Sequence, residues 1–350
     1  MFFSRIIGFF YFIIALFAIT ETNYSSANEV LIESNAVVFA YHRVGENRYP
    51  STNVTIKQFE AHLAELKLGG YNVLPLPEII LSLKTGKSLP NRTVGISFDD
   101  AFLSVYKNAW PRLKENGFPF TIFIATDYVD NNSPNFMNWS QIQEMTKAGV
   151  TIGSHTGSHL HMPIASEQEN IEEVERAQKR INEVLNKTPS LFAYPYGETS
   201  LKIQELIKKL GFIAAFGQQS GAFDQTSEMF SLPRFSMNEN YGSLKRFRLA
   251  ANTLALQISD VTPKDTFFTN DNNPVIGFTL MSNFKRLDQL SCFASHTGQT
   301  RIELLGNRRI EIRFDTPLPI GRTRLNCTMP GVKGRWHWFG RQFFRPNKNF

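Results

Sequence analysis

The sequence has very few cysteines: Cys292 and Cys327 are the two among 350 residues, and both lie late in the chain. They are not spaced as C-x-x-C, which excludes a zinc ribbon or a thioredoxin-like redox motif. In an exported protein the pair could form one disulfide that closes a loop of about 35 residues, worth roughly 3–4 kcal/mol in the chain-entropy model. Two buried free thiols are the alternative.

Long hydrophobic runs are also scarce. The apolar run at residues 6–19 follows Arg5 and precedes small polar residues that lead to Ala27. Such a run is short for a membrane-spanning helix and has the length of the apolar part of a signal peptide. We therefore expect a signal peptide at residues 1–27 and an exported protein of the periplasm or cell envelope. An uncleaved membrane anchor is the alternative, and it also leaves the rest of the chain outside the cytoplasm.

Charged residues make up 19% of the chain, and the net charge of +6 is unevenly distributed. Residues 301–350 hold eleven Lys and Arg against three Asp and Glu, a net charge of +8, so the other 300 residues sum to −2. This basic segment could contact an anionic glycan or a membrane surface, although a solvated basic surface explains it equally well. We expect no nucleic-acid partner.

Strand-like and helix-like segments alternate over some two hundred residues. The predicted strands are 36–41, 71–74, 94–98, 120–125, 150–153, 191–194 and 213–216; the predicted helices are 56–68, 77–83, 101–117, 139–148, 167–186 and 202–210. Alternation of this kind predicts an α/β fold with a largely parallel sheet, open or closed into a barrel. We assign this part to residues 36–254.

From about residue 255 to the end the pattern changes. No convincing helix is present, and short β-like runs (275–280, 302–305, 310–314 and 335–339) lie between Gly, Pro and Asn residues. We therefore predict a second, basic, all-β domain at residues 255–350, built as a sandwich. Trp336 and Trp338 fall on one face of its last run, where they could stack on sugar rings or, more simply, pack in the core.

Four residues that could carry chemistry follow two of the predicted strands. Asp99 and Asp100 come directly after 94–98, and His155 and His159 come just after 150–153. Functional groups of parallel α/β sheets gather beyond the carboxyl ends of the strands. The H-x3-H spacing places both imidazoles on one face if the segment is helical. A helix N-cap at the aspartates and backbone-bonded loop histidines are the structural alternatives.

Two adjacent carboxylates cannot share a buried site unless the pKa of one of them rises. A cation bound by one carboxylate removes the conflict and leaves the other as a base. Two histidines and one carboxylate also leave coordination positions open, as a catalytic metal site requires. A divalent metal is expected, with Zn²⁺ favoured and iron, cobalt, nickel or manganese also compatible.

The segments SFDDAF, SHTGSH and FAYPYG, in this order, resemble the first three motifs of the NodB-type polysaccharide deacetylases, carbohydrate esterase family 4. The resemblance covers roughly residues 36–250 and includes NWSQIQEMTKAGVTIGSHT. It implies a distorted (β/α) barrel of about seven strands and a metal-dependent hydrolase that removes N-acetyl groups from an N-acetylhexosamine polysaccharide.

The resemblance also implies roles for individual residues. Asp99 would be the general base, and Asp100, His155 and His159 would be the metal ligands. Tyr196 and Pro195 would line the substrate groove together with Arg43, and the Tyr196 backbone N–H would bind the oxyanion. Metal-activated water would attack the acetamide carbonyl, and no covalent intermediate is needed. A serine nucleophile is not expected, because the G-x-S-x-G motif is absent.

The sequence departs from the family pattern in two ways. Ala101 stands where the family usually has Gly, a change that we expect the turn to tolerate. The family's late histidine, its general acid, is absent, because the histidines beyond Pro195 are His296 and His337 of the predicted second domain. His42 follows the first strand and is the candidate replacement, as in the circularly permuted branch that includes the biofilm poly-N-acetylglucosamine deacetylases.

The missing late histidine leaves two alternatives open. His42 could be a core histidine that fixes the strand end, and the protein could be an inactive, glycan-binding relative of the deacetylases in the cell envelope. Of the other histidines, His62 lies in an amphipathic helix and is expected to be solvated. His161 is expected to support the site rather than bind the metal.

Overall fold

The computed structural model describes residues 34–269, 274–284 and 286–347. The predicted signal peptide at residues 1–27 lies outside them. Within these ranges, none of the helices is both long and apolar enough to cross a membrane.

A curled parallel sheet forms the first part of the protein. Its strands and the short strands around them are β1 (Asn35–Tyr41), β2 (Arg43–Val44), β3 (Asn53–Val54), β4 (Asn72–Val73), β5 (Thr93–Asp99), β6 (Thr121–Ile124), β7 (Thr151–Ser154), β8 (Leu191–Ala193), β9 (Ala214–Phe216), β10 (Ala222–Asp224) and β11 (Phe235–Ser236). Seven strands follow the order β10-β1-β5-β6-β7-β8-β9, and all but β10 run parallel to their neighbours. The predicted barrel of about seven strands is confirmed as a curled half-barrel.

In the part of the chain that the structure describes, eight α-helices accompany this sheet. They are α1 (Ile56–Leu68), α2 (Leu76–Lys84), α3 (Trp110–Glu115), α4 (Thr126–Asp130), α5 (Trp139–Lys147), α6 (Glu167–Leu185), α7 (Leu201–Lys209) and α8 (Leu244–Ala251). Three of them begin with a capping box in which the side chains of Thr55, Asn138 and Ser166 accept a hydrogen bond from the backbone N–H three residues later. Local sequence therefore fixes where these helices start.

The predicted helix at 101–117 begins later than expected. Asp100 and Ala101 both adopt left-handed backbone conformations, with φ of 73° and 62°. A π-helix at Val105–Ala109 then leads into α3. The chain turns sharply at the end of β5, and this turn, rather than a helix N-cap, positions the two aspartates. Ala101 adopts the conformation for which the family usually has Gly.

Apolar packing explains why the sheet is continuous. The side chains of β1 alternate between two hydrophobic cores: Val37 and Phe39 join one, and Ala36 and Val38 join the other. Both faces are buried along the whole of β1 and β5. Near-continuous apolar strands are typical of parallel sheets covered on both faces.

The C-terminal part consists of two further sheets. Its strands are β12 (Thr253–Ala255), β13 (Ile258–Thr262), β14 (Ile276–Leu280), β15 (Ser291–Ala294), β16 (Gly298–Gln299), β17 (Arg301–Leu305), β18 (Arg309–Arg313), β19 (Gly321–Pro330) and β20 (Trp336–Arg345). One sheet has the order β12-β20-β19-β15-β16, the other β13-β14-β18-β17, and a single hydrophobic core contains residues of both. Cys292 of β15 and Cys327 of β19 form the anticipated disulfide.

The hairpin of β19 and β20 also packs on the first part of the chain. β12 pairs with β20 in parallel, so residues 253–254 already belong to the C-terminal sheet. The Trp338 ring meets the Phe235 ring edge-on at a centroid distance of 5.2 Å, whereas Trp336 is 38% exposed. Trp338 is therefore part of the contact between the two parts.

Candidate metal centre and active site

The two aspartates at the end of β5 point in different directions. Asp99 is the last residue of β5 and is fully buried. Asp100 is displaced by its left-handed conformation, and its N–H donates to the carbonyl of Phe123 at the end of β6. The turn thus separates two carboxylates that are adjacent in sequence.

His155 and His159 approach Asp100 from the loop after β7. The His155 Nε2 atom lies 3.4 Å from Asp100 Oδ1, and His159 Nε2 lies 3.3 Å from the same oxygen. The loop is not helical, and Thr156 and His159 have φ values of 63° and 64°. The helical arrangement expected from the H-x3-H spacing is therefore wrong, and two left-handed residues bring the imidazoles together instead.

These three side chains have the properties of a metal site. Among the residues that the structure describes, they form the one group of three or more His, Cys, Asp or Glu that could hold a metal ion, with ligand atoms all within 4.8 Å of one another. The His155 Nδ1 atom lies 2.6 Å from the carbonyl of Ala193. A carbonyl only accepts, so Nδ1 carries the proton and Nε2 presents a lone pair to Asp100.

Two buried atoms of this group lack a hydrogen-bond partner. They are Asp100 Oδ1 and His155 Nε2. Leaving buried polar atoms unsatisfied is unfavourable, and a cation between them would satisfy both. The donor set, two imidazoles and one carboxylate, therefore fits a divalent metal with open coordination positions.

Asp99 has a protein partner that the sequence did not reveal. Arg234 is fully buried, and its Nη1 and Nη2 atoms donate to Asp99 Oδ1 and Oδ2 at 2.7 and 2.8 Å. The same guanidinium donates to Ser97 Oγ and to the carbonyl of Gly217. Such a bidentate pair holds the carboxylate in one orientation.

The two aspartates accordingly have opposite pKa shifts. Burial alone would raise the pKa of Asp99, but the positive charge of Arg234, helped by His155 and His42, lowers it well below its usual range. Burial raises the pKa of Asp100, and the neighbouring charge of Asp99 adds to this effect. Burial also lowers the pKa of both His155 and His159 to about 4. The expectation that one carboxylate pKa must rise is borne out for Asp100.

His42 also lies beside Asp99. It follows β1 directly, and its Nε2 atom is 3.8 Å from Asp99 Oδ2. Its side chain keeps 14% of its surface exposed. An imidazole therefore lies next to the carboxylate, at the carboxyl edge of the sheet and within reach of solvent.

Tyr196 borders the group formed by Asp100, His155 and His159. Its ring contacts His159 edge-on at 4.3 Å and stacks on His161 at 3.8 Å between centroids. Its backbone is left-handed, with φ of 59°, and the preceding Pro195 is buried. Arg43 also lies in this region, with its guanidinium 3.6 Å from the centroid of Phe102.

The remaining histidines do not join the metal group. His161 Nδ1 lies 2.8 Å from Glu198 Oε2. His62 is fully buried, between the hydroxyl of Tyr41 and the carbonyl of Gly242. The expectation that His62 is solvated was wrong, because α1 turns this polar residue toward α8, where both ring nitrogens find partners.

The parallel-sheet part of the chain is similar to known proteins. Residues 86–215 match the family described as polysaccharide deacetylase, which confirms the resemblance carried by the three motifs. The poly-beta-1,6-N-acetyl-D-glucosamine N-deacetylase of Staphylococcus aureus (strain MSSA476) is 29% identical over an alignment 237 residues long, and the match covers 59% of this chain and 80% of that protein.

Two solved structures share the fold. IcaB from Ammonifex degensii is 26% identical with a TM-score of 0.53, and the match covers 62% of this chain and 97% of that chain. Streptococcus pyogenes deacetylase PplD, in complex with acetate, is 21% identical with a TM-score of 0.58 and covers 62% of this chain and 98% of its own.

Proposed function

Because the chain contains a polysaccharide deacetylase domain, we propose that it is a metal-dependent hydrolase that removes N-acetyl groups from an N-acetylhexosamine polymer. The observation that carries the proposal is the pairing of an Asp100–His155–His159 group with Asp99 and His42 at one edge of the sheet. The named Staphylococcus aureus relative makes poly-β-1,6-N-acetylglucosamine the first substrate to test.

Asp100, His155 and His159 would hold the metal, for which Zn²⁺ is the proposed identity. The unpartnered Asp100 Oδ1 and His155 Nε2 atoms support this assignment. When bound, a divalent cation polarises an amide carbonyl and makes water more acidic. An imidazole binds a metal only when it is neutral, and the lowered pKa values of His155 and His159 keep both imidazoles neutral.

Asp99 is the proposed general base. Arg234 keeps it ionised and fixed in orientation, and each carboxylate oxygen can still accept a further hydrogen bond. His42, 3.8 Å from Asp99, is the proposed general acid that protonates the departing amine. Tyr196 would donate its backbone N–H to the developing oxyanion, and Pro195 and Arg43 would line the substrate groove.

Domain organisation and location complete the proposal. We assign residues 36–254 to the catalytic domain and 255–350 to a basic β-domain, behind a signal peptide at 1–27 that directs export. The β-domain's charge of +8 over residues 301–350 suits an anionic glycan or membrane surface.

The proposal is tested by acetate release from poly-N-acetylglucosamine, chitooligosaccharides and peptidoglycan fragments, each with and without chelator. We expect release from at least one polymer, abolished by chelator and restored by Zn²⁺. Failure to release acetate from any of them would contradict it. Polymer binding without turnover would instead identify the glycan-binding alternative.

Replacing His42 further distinguishes the active deacetylase from the inactive glycan-binding protein. His42→Ala should lower kcat by about 10²–10⁴-fold, as loss of a general acid does, while metal content stays at the wild-type level. His296→Ala, on an exposed histidine of the C-terminal part, is the matched control and should leave kcat unchanged.

A further inference from the structure

The Tyr196 loop is held from outside the parallel sheet. The carbonyl of Tyr196 accepts a hydrogen bond of 2.9 Å from Nε2 of Gln342, a residue of β20 in the C-terminal sheet. Gln342 is separated from Tyr196 by 146 positions in sequence and is 5% exposed. The C-terminal sheet therefore reaches the residue whose N–H is the proposed oxyanion donor.

The orientation of the Gln342 amide is fixed by a second hydrogen bond. Arg324 of β19 lies opposite Gln342 in the β19–β20 register and donates from Nε to Gln342 Oε1 at 2.9 Å. Since arginine only donates, the oxygen of the amide must face Arg324 and its NH₂ group must face Tyr196. The two bonds form a chain from β19 to the loop.

The ring side of the same loop is held by Arg322. Its Nε atom lies 3.6 Å from Glu198 Oε1, and its guanidinium lies 5.5 Å from the centre of the Tyr196 ring. Glu198 is 2% exposed and also holds His161, which stacks on Tyr196. The contacts made by β19 and β20 thus involve the carbonyl of Tyr196, its ring and its neighbour in the loop.

The β19–β20 hairpin packs tightly against the first part of the chain. A Cβ atom added at Gly340, two residues before Gln342, would lie 1.8 Å from the backbone oxygen of Ser220. A change of side-chain rotamer could not relieve this clash, because the position of a Cβ atom is fixed by its own backbone and the atom that it meets is also a backbone atom. The Trp338–Phe235 contact lies two residues further along the same face. The position of Gln342 relative to the catalytic sheet is therefore determined by backbone packing.

Building on the proposed function, we propose that Gln342 is a positioning residue for the deacetylation reaction. By holding the Tyr196 carbonyl, it keeps this non-glycine residue in its left-handed conformation, so that the N–H stays directed at the developing oxyanion. Left-handed backbone is uncommon outside glycine and persists where surrounding contacts determine it. The C-terminal sheet is thereby part of the active site.

The test is Gln342→Glu, which preserves the shape and the acceptor for Arg324 but replaces the donor to Tyr196 with a carboxylate oxygen. We expect kcat for acetate release to fall about 10- to 100-fold, less than the complete loss of an oxyanion donor because the Tyr196 N–H is misdirected but not removed, with KM within twofold of wild type and metal content unchanged. Gln257→Glu is the matched control, because Gln257 also joins the C-terminal part to the first sheet, through Asp224, but lies away from Tyr196. It should leave kcat unchanged.

Hydrogen–deuterium exchange measures how firmly the Tyr196 loop is held, and it needs no substrate. The amides of Gly197 and Glu198 donate to the carbonyls of Tyr194 and Pro195 within the loop. In Gln342→Glu, a peptide spanning residues 194–199 should exchange faster than in wild type and in Gln257→Glu. Unchanged exchange, or faster exchange with wild-type kcat, overturns the inference. If the wild type releases no acetate from any polymer, the proposed function fails, and exchange alone still decides whether Gln342 holds the loop.

Discussion

Asp99 and Asp100 are adjacent in the chain, yet they belong to two regions of the site with opposite surroundings. In the arginine-paired region, formed by Asp99, Arg234 and His42, the protein itself supplies the positive charge. In the cation region, formed by Asp100, His155 and His159, buried atoms are left without partners. The comparison shows that one carboxylate already has its counter-charge in the fold, whereas the other lies in a group of side chains that could hold a cation.

The largest effect is expected from removing the carboxylate of the cation region. Asp100→Asn should lose tight metal binding and lower kcat/KM on the order of 10³-fold, because the Lewis acid contributes several kcal/mol to the reaction. Metal content after dialysis and acetate release measure the two effects. Asp130→Asn, at an aspartate of α4 bonded to Trp139, should retain the metal. Full metal occupancy in Asp100→Asn would show that the two histidines suffice.

The arginine-paired region should respond in stability rather than in metal binding. Arg234→Met leaves Asp99 buried without a counter-charge and should lower the free energy of unfolding by about 3–5 kcal/mol. Arg248→Met is the control, because Arg248 pairs with Glu65 on the surface and should cost less than about 1 kcal/mol. Urea unfolding in chelator measures both. Equal losses would mean that Arg234 is no more than another ion pair.

The two regions should also differ in their response to pH when no metal is bound. Burial lowers the pKa of His155 to about 4, so between pH 6.5 and 4 the unfolded chain binds a proton that the folded chain does not. Stability is therefore lost as the pH falls through this range. The lowered pKa of Asp99 acts elsewhere: its contribution is complete above about pH 4 and declines only below it.

Urea unfolding in chelator at pH 7.5 and 5.0 tests this difference. His155 alone should account for a loss of about 2 kcal/mol at the lower pH. His155→Gln should reduce the pH dependence by that amount, whereas the surface variant Arg248→Met should not reduce it. A pH dependence that is identical in wild type and His155→Gln would show that this imidazole is not held neutral.

The cation region could be found from sequence because its three residues lie in two short motifs at strand ends. Asp99–Asp100 and His155 each follow a buried apolar strand, and parallel topology brings such ends together. Arg234 offered no comparable signal. It lies 135 residues from Asp99, directly before the two-residue strand β11. A lone arginine beside apolar residues does not indicate a buried partner.

The C-terminal sheet was only partly predictable for a similar reason. β19 alternates buried residues with Arg322, Arg324 and Asn326, which reads as a solvated segment and not as a strand covered on both faces. On this polar face Arg322 contacts Glu198 and the Tyr196 ring, although its side chain stays 42% exposed. The contact between the two parts is tertiary information, so the hairpin and its reach to the active site appear only in the structure.

The smallest expected effect is on cation affinity and comes from Glu173, a residue of α6 that contacts the loop before His159. Glu173 of α6 accepts hydrogen bonds at Oε2 from the backbone N–H groups of Gly157 and Ser158, at 3.1 and 2.7 Å, and from the Ser158 hydroxyl. These residues immediately precede His159, so the carboxylate fixes the loop that presents this ligand. Arg176 pairs with Glu173 and also with Asp127 of α4, which ties the loop to a second helix.

Glu173→Ala should weaken cation binding by about 10-fold, the lower end of the range for residues that orient metal ligands. Competition with a chromophoric chelator measures the affinity. Glu172→Ala is the matched control, because Glu172 is exposed on the same helix and accepts a hydrogen bond from Gln168, one turn away. Equal affinities in the two variants would confine the cation region to its three ligands. A weaker affinity in Glu173→Ala alone would mean that α6 holds the cation region in place through Glu173. In the arginine-paired region, a single residue, Arg234, does the same for Asp99.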